Sequence, residues 1–518
     1  MFLGIDSGTS SVKAVVADAN QAVVAQASVP LTVSRPRPDF SEQNPEDWWK
    51  ATVAAICALP AAVRREIKGI GLTGQMHGAT LLDDADRPLR PAILWNDGRS
   101  SRECLEIERR EPRSRFITGN LVMPGFTAPK LLWVRRHEPE IFRRTACVLL
   151  PKDYVRLKLT GEKVSDMSDA SGTSWLDVAH REWSDAMLGA TGLTRAHMPR
   201  LVEGNAVSAE LRQSVADELQ LPRVAVAGGG GDNAASAAGM GIVDSGQAFL
   251  SLGTSGVLFV ANDRFYPNAG RAAHAFCHCL PGRWHQMAVL LSAAGALEWV
   301  VRLAGVKDLN ECLAAAEGRG LRRHAPYFLP YLSGERTPHN DAAARGVFFG
   351  MTADTDAVDL VLAVLEGVAL AFVDGQEVLL EAGSSIAEIC VTGGGSRSIF
   401  WGRILAAALN RPLIYRKGSE VGAAFGAARL ARLAVTGESL ESVCTQPSIN
   451  RVIEPDAALS ALLAARRPLF TNLYRDLRNA FAEFSAPVSS PVQRRSTPPK
   501  SSSPNSSGPA AQPRYPKF

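Results

Sequence analysis

An α/β architecture of at least two domains is what this 518-residue sequence predicts. Three observations carry the prediction. The length is well beyond the size at which a single hydrophobic core stops growing. Runs rich in Val, Ile and Leu alternate with helical stretches along almost the whole chain. A strand–turn–strand pattern at the N-terminus also returns near residue 250, as though a second half of the chain began there. We therefore expect a first domain at residues 1–243, a second at 244–485 and a tail at 486–518.

Composition narrows the class. With 46% hydrophobic and 21% charged residues the chain reads as an ordinary globular protein. Met1 runs directly into the strand-like Phe2-Leu3-Gly4-Ile5, so no signal peptide is expected. The apolar stretches at 287–297 and 360–373 are too short, or are interrupted by Glu366, to span a bilayer. A cytoplasmic location without membrane contact follows as an expectation. Eight scattered cysteines form no disulfide framework and read as reduced thiols. His274, Cys277, His278, Cys279 and His285 lack the paired Cys-x2-Cys spacing of a zinc site and read as a strand and turn near a cleft.

The formal charge of +4 does not imply a nucleic-acid partner. Arg494, Arg495, Lys500, Arg514 and Lys517 all lie in the acid-free tail, and without those five cations the formal charge is −1. The body therefore has no global basic field. The tail itself is rich in Ser and Pro and poor in aliphatics, which predicts disorder.

Within the body, Asn44-Pro45-Glu46-Asp47 has the capping residue, first-turn proline and acids of a helix start, with an apolar face over 48–59. Residues 359–380 predict a long buried helix. The internal echo pairs Phe2-Leu3-Gly4-Ile5-Asp6-Ser7-Gly8-Thr9-Ser10-Ser11-Val12 with Phe249-Leu250-Ser251-Leu252-Gly253-Thr254-Ser255-Gly256-Val257. Each reads as a strand, a Gly-Thr-Ser turn and a strand, and the amides and hydroxyls of such a turn can hold phosphate oxygens. A third Gly-Thr-Ser, at Gly172, follows a polar stretch and is not counted as a copy. With the turns aligned, Asp6 corresponds to Ser251 and Lys13 to Leu258. Only the first turn thus has a carboxylate beside it, where a hydrated magnesium ion could be held.

Two further strands end in glycine runs. Val224-Ala225-Val226-Ala227 leads into Gly228 to Gly231 and Asp232-Asn233; Ile389-Cys390-Val391-Thr392 leads into Gly393-Gly394-Gly395-Ser396-Arg397-Ser398. Bare backbone at the carboxyl edge of a sheet suits a nucleotide or substrate, although each run alone is also a good turn. No Gly-Lys dipeptide occurs, which excludes a Walker-type loop. Neither run opens a dinucleotide-binding βαβ unit, and protein-kinase signatures are missing.

This set of two phosphate turns, one acid and two glycine runs resembles the actin-like ATPase superfold and, within it, the FGGY family of carbohydrate kinases. Gly125-Phe126-Thr127-Ala128-Pro129-Lys130-Leu131-Leu132-Trp133 resembles the first family signature. Gly346-Val347-Phe348-Phe349-Gly350-Met351, with Asp359 and Ala363-Val364-Leu365-Glu366, resembles the second. The resemblance covers residues 1–433. It implies two actin-like, ribonuclease H-like ATPase domains flanking a catalytic cleft, and an enzyme that moves the γ-phosphoryl group of ATP to a sugar.

Gly74-Gln75-Met76-His77-Gly78-Ala79, Leu94-Trp95-Asn96-Asp97-Gly98-Arg99 and Tyr331-Leu332-Ser333-Gly334-Glu335-Arg336-Thr337-Pro338 are similar to the loops of family members acting on D-xylulose. Ribulose, rhamnulose, gluconate and glycerol are the rival substrates. The resemblance implies Asp232 as the base for the sugar hydroxyl, with Met76, His77 and Asn233 also contacting the sugar. Asp6 would bind Mg²⁺. Gly8, Thr9, Ser10 and Lys13, with Gly253, Thr254 and Ser255, would surround the phosphates, and Gly393, Gly394, Gly395 and Ser398 the adenosine. Plainer readings remain: Asp232 as a helix-capping acid, and His77 as a structural residue. A non-catalytic ATP-dependent sensor or chaperone is the rival class, but it needs no base and no peptide-binding domain is evident. The expected partners are the sugar and ATP, and the oligomeric state, a homodimer included, is left open.

The tail reading is testable by truncation. A chain ending at Ser485 should keep the activity and melting temperature of the full chain and bind a cation exchanger less tightly. Unfolding on truncation would mean that tail residues dock on the body.

Overall fold

The computed structural model describes residues 1–417 and 422–485. The disorder expected of residues 486–518 lies outside the described residues.

Two seven-stranded sheets form the centre of the protein. The first comprises β1 (Phe2–Ser7), β2 (Ser11–Ala17), β3 (Val23–Pro30), β4 (Gly69–Gly74), β5 (Val207–Glu210), β6 (Ala225–Ala227) and the short β7 (Gly230–Gly231). Its order is β5-β6-β4-β1-β2-β3, with β7 also paired to β4. The second comprises β8 (Ala248–Leu252), β9 (Gly256–Asn262), β10 (His274–Cys277), β11 (Trp284–Leu290), β12 (Ile389–Thr392), β13 (Leu413–Arg416) and β14 (Ile449–Ile453), in the order β10-β11-β9-β8-β12-β13-β14.

Without their edge strands the two sheets have the same plan. Three antiparallel strands, β3-β2-β1 or β11-β9-β8, are followed by two parallel ones, β4-β6 or β12-β13. The echo in the sequence thus corresponds to equivalent hairpins in equivalent sheets. Asp6 stands opposite Lys13 across the first hairpin, and Ser251 opposite Val257 across the second. The parallel strands are covered on both faces, which is why β4 is buried at every residue and reads as a continuous run.

The helices follow their local signals. In α1 (Pro45–Cys57) the Asn44 side chain accepts from the Glu46 amide, as the capping sequence predicts, although the helix stops at Cys57, short of the 48–59 expectation. The long buried helix is α3 (Ala357–Glu381), opened by a capping box between Asp356 and Asp359. Glu366 interrupts its apolar face because it is ion-paired at 2.5 Å with Arg466 of α5 (Ala457–Ser485). Arg466 also donates to the carbonyls of Arg323 and Ala325 at 2.6 and 3.0 Å. That part of the second signature ties two helices together in the core.

Two helices cross between the sheets. Helix α2 (Asp232–Met240) leaves β7 and contributes Ala237 and Met240 to a cluster with Phe249, Phe259 and Ile414 of the second sheet. Helix α4 (Gly422–Thr436) follows β13 but lies on the first sheet. A Cβ on Gly4 would sit 1.8 Å from the Ala424 carbonyl oxygen, and one on Gly71 would sit 1.9 Å from that of Ala427. The two helices meet where a Cβ on Gly426 would fall 1.7 Å from the Ala235 oxygen. Among the described residues no helix is long and apolar enough to cross a membrane.

The helix crossing generates a paired prediction. Gly426→Ala forces backbone apart and should destabilise the protein by about 3 kcal/mol, read as a lower melting temperature. Gly394→Ala, where a Cβ would meet nothing within 4 Å, should melt like the parent. Equal melting of both variants would show that the α2–α4 contact is loose.

Candidate active site

The ends of β1, β4 and β7 meet in a cleft facing the second hairpin, the carboxyl edge at which ligands of parallel sheets bind. Met76, His77, Asp232 and Asn233, the four residues assigned to the sugar, all line one cavity of about 260 Å³. Ser255, assigned to phosphate, also lines it, so the second turn borders the same cavity. Trp95, His274 and Arg336 complete the polar part of the wall. The sequence offered only their loops, because nothing local told which side chain would point inward.

Two buried carboxylates lie close enough at these strand ends for the charge of Asp232 to act on Asp6. Burial raises the Asp6 carboxyl to about 7, helped by the charge of Asp232 and opposed by Lys13. Asp6 Oδ1 is buried with no hydrogen-bond partner. A buried carboxylate oxygen without a partner, beside a second carboxylate, is the donor set that a hard divalent cation satisfies. Burial also raises Asp232, to about 6, although the backbone and side-chain N–H groups of Asn233 hold it down. Both donate to Oδ1, at 2.7 and 2.9 Å, and among the described residues Oδ2 takes no hydrogen bond. The N-cap of α2 is Gly231, so Asp232 is the first residue inside the helix rather than its cap.

His77 is held in one chemical state. Its Nδ1 lies 2.7 Å from the Gly172 carbonyl oxygen, which only accepts, so Nδ1 carries the proton and Nε2 is left as an acceptor. Burial, with the positive charges of Lys130 and Arg336, pushes the ring down to about 3, so it is neutral at physiological pH. The residue adopts a left-handed φ of 68°, unusual for a side chain with a Cβ. Lys130, buried on the helix Thr127–His137, fixes that conformation by donating to the His77 carbonyl at 2.8 Å and to the Gly125 carbonyl at 2.7 Å. The first signature thus acts through His77. Gly172, set aside in the sequence, is needed because a Cβ there would lie 2.4 Å from the imidazole.

Behind Asp232 stands a buried ionic cluster. The Gly231 amide donates to Ser168 Oγ at 3.0 Å, and the Ser168 amide to Asp166 Oδ2 at 2.8 Å. Lys152 Nζ lies 2.8 Å from Asp166, 2.6 Å from Asp153 and 3.1 Å from Asp169, with all four side chains fully buried. Arg156 donates to the Ala227 carbonyl at 2.7 Å and the Gly228 carbonyl at 2.5 Å. The glycine run leading to the acid is therefore anchored by charged donors and acceptors, which removing any one partner would leave exposed to a low dielectric.

The remaining assigned residues sit at their turns. The Gly8 amide donates to the Ser11 carbonyl at 3.0 Å, closing a turn that includes Thr9 and Ser10, while Lys13 is on β2 beside Asp6. The carbonyls of Gly253 and Thr254 accept from the Ala294 and Ala293 amides at 2.7 and 2.9 Å, which ties the turn to the start of the following helix. Gly393 has φ 91° and Gly394 borders open space. Gly395 packs on Leu252 and Trp401, and Ser398 caps the helix Ile399–Leu409 by accepting from the Trp401 amide at 3.3 Å. Among the described residues no His, Cys, Asp and Glu group is arranged to hold a metal by itself; His285 stacks on Phe259 at 4.5 Å and His274 on Phe276 at 5.3 Å.

The cleft electrostatics predict a pH signature. Folding raises Asp6 from 3.8 to about 7, so its ionised form destabilises the metal-free protein fully above that pH. The penalty fades as pH falls from about 7 towards 4. Asp6→Asn should therefore raise the metal-free melting temperature at pH 8 and have little effect near pH 4. A gain that is the same at both pH values would contradict the shift.

Comparison with known proteins identifies the family. The model of the FGGY family of carbohydrate kinases, N-terminal domain, matches residues 1–239, and that of the C-terminal domain matches residues 248–435. The chain is 51% identical to the xylulose kinase of Escherichia coli (strain K12) over 479 residues, covering 92% of this chain and 99% of that protein. It is 50% identical to the xylulose kinase of Klebsiella pneumoniae over 480 residues, with the same coverage of 92% and 99%. A crystal structure of a xyloylose kinase from Brucella ovis superimposes with a TM-score of 0.89 at 52% identity, over 92% of this chain and 99% of that one. Both halves of the chain, in order and around one cleft, thus belong to the FGGY family of carbohydrate kinases.

Proposed function

We propose that this kinase transfers the γ-phosphoryl group of ATP to D-xylulose, giving D-xylulose 5-phosphate and ADP. The observation that carries the substrate is the 51% identity to a xylulose kinase along 92% of the chain. The cleft geometry supports the chemistry. Phosphoryl transfer needs alignment, neutralisation of charge and an acceptor for the hydroxyl proton.

In this reading Asp232 accepts that proton at Oδ2, the oxygen left free while Asn233 occupies Oδ1. A carboxyl near 6 is well matched to the work: it is mostly ionised at neutral pH, yet basic enough to take the proton as the hydroxyl attacks. His77 accepts a second sugar hydroxyl at Nε2, with Met76 as an apolar neighbour. The turn at Gly8, Thr9, Ser10 and Lys13 and the turn at Gly253, Thr254 and Ser255 hold the phosphates from opposite halves. Gly393, Gly394, Gly395 and Ser398 face the adenosine. Asp6 is the residue that would hold Mg²⁺, which when bound neutralises phosphate charge. Residues 1–243 and 244–485 divide these tasks between them.

The direct test is a coupled ADP assay across D-xylulose, ribulose, rhamnulose, gluconate and glycerol. D-Xylulose should give the highest kcat/KM, and preference for another acceptor would overturn the assignment. Asp232→Asn should lower kcat by on the order of 10²–10⁴-fold without loss of ATP binding. Since Asp232 must be ionised to act, wild-type kcat/KM should fall as pH drops through about 6. His77→Ala should weaken xylulose use by roughly 1–3 kcal/mol while slow sugar-free ATP hydrolysis persists. Loss of that hydrolysis as well would make His77 structural.

A further inference from the structure

A chain of hydrogen bonds with only one allowed polarity runs from the core to the sugar pocket through the first phosphate turn. It begins at Trp48, whose indole N–H can only donate and reaches Gln43 Oε1 at 3.0 Å. Gln43 Nε2 donates to the carbonyls of Thr9 and Thr32, at 2.8 and 3.1 Å, which can only accept. These two constraints, one at each end of the amide, fix the orientation of Gln43. Its Oε1 therefore also accepts from Gln75 Nε2 at 2.9 Å. That in turn fixes Gln75, whose Nε2 also lies 3.4 Å from the Gly8 carbonyl, and turns its Oε1 towards Thr9.

Thr9 is now determined as well. Its hydroxyl proton goes to Gln75 Oε1 at 3.0 Å, and the Trp95 indole N–H donates to its oxygen at 3.0 Å. A threonine hydroxyl has one proton. With that proton committed, Thr9 Oγ1 has no hydrogen left to offer a phosphate oxygen, which can only accept. The service of Thr9 to a phosphate is then through its backbone, and the residue is clamped by Gln43 at its backbone carbonyl and by Gln75 at its side-chain hydroxyl. Gln43 and Gln75 are each 3% exposed and Trp48 is fully buried, so water does not compete for these bonds. Trp95, by contrast, is 37% exposed and lines the sugar cavity.

We propose that Gln43 and Gln75 are positioning residues that hold the Gly8–Ser10 turn in its phosphate-binding shape, and that the Trp95 N–H joins this brace to the sugar pocket. The proposal rests on the reading of that turn as a phosphate site and of the cavity as the sugar site. A sugar seated against the indole then steadies the turn that receives ATP, although the two ligands touch different residues.

The test deletes single groups and reads the two substrates separately. Trp95→Phe keeps one aromatic ring in the wall and removes the N–H together with the five-membered ring that carries it. It should lower kcat/KM for ATP by about tenfold, the worth of one good hydrogen bond, a loss that a residue serving the sugar alone would not produce. Thr9→Val should show the same ATP-side loss, and Thr9→Ser should recover most of it. Gln43→Met should resemble Thr9→Val; if that buried change unfolds the chain, the Trp95 and Thr9 variants still decide. A Trp95→Phe defect confined to xylulose, no defect at all, or a Thr9→Ser variant as poor as Thr9→Val would each overturn the proposal. Should the wild type prefer another sugar, the same variants read by ATP-analogue calorimetry in the presence of that sugar keep the brace testable apart from the substrate.

Discussion

The approach of helix α4 to strands β1 and β4 is the constraint on which the site depends. Carbonyl oxygens of Ala424 and Ala427 occupy the space that side chains on Gly4 and Gly71 would fill. The helix comes from the second half of the chain and the strands from the first, so this contact also fastens the halves together. Helix α2 passes in the other direction, and Gly426 lets the two backbones touch. Such contacts between backbones tolerate no added carbon, and they fix the ends of β1, β4 and β7 relative to the second sheet. Asp6, His77 and Asp232 stand at those ends. A fold made only of paired sheets would leave their separation to loops.

The chemistry then follows from burial and partner choice. Asp6 and Asp232 are both lifted by desolvation, but Asp232 is restrained by two N–H donors from Asn233 and Asp6 by Lys13. Their environments differ enough to suit the different tasks proposed for them. Burial, helped by the charge of Lys130, keeps His77 neutral, and the Gly172 carbonyl gives it a single tautomer. The ionic cluster around Lys152 is fully buried and has no access to substrate. Its contribution is to hold the glycine run that leads to Asp232.

Much of this was legible in the sequence, for physical reasons. The hairpin echo, the strands at 225–227 and 389–392 and the capped helix at Pro45 rest on short-range rules of periodicity, turns and capping, and these were realised within a residue or two. Asp6, His77, Asp232 and Asn233 could be selected because they stand beside glycines at strand ends, within loops resembling those of the family. Other parts depended on contacts between distant segments. Gly172 was discounted because its neighbours are polar, whereas its importance lies in the imidazole that packs over it. Trp95, His274 and Arg336 come from three separate loops, and no local pattern shows that they share a wall. Lys152 and its carboxylates look like surface charges until the fold encloses them. Ser255 and Ser398 show a further limit: a hydroxyl in a motif has several partners open to it, and only the packed structure shows that one borders the cavity at His77 and Asp232 and the other caps a helix.

The central claim is that one cleft presents the sugar hydroxyl to Asp232 while the two Gly-Thr-Ser turns hold the phosphates. A crystal structure with D-xylulose and a non-hydrolysable ATP analogue tests it most directly. The account predicts the C5 hydroxyl within hydrogen-bonding distance of Asp232 Oδ2, another sugar hydroxyl on His77 Nε2, and the γ-phosphate between Gly8–Ser10 and Gly253–Ser255. Sugar bound with Asp232 turned away, or phosphates seated outside both turns, would contradict it.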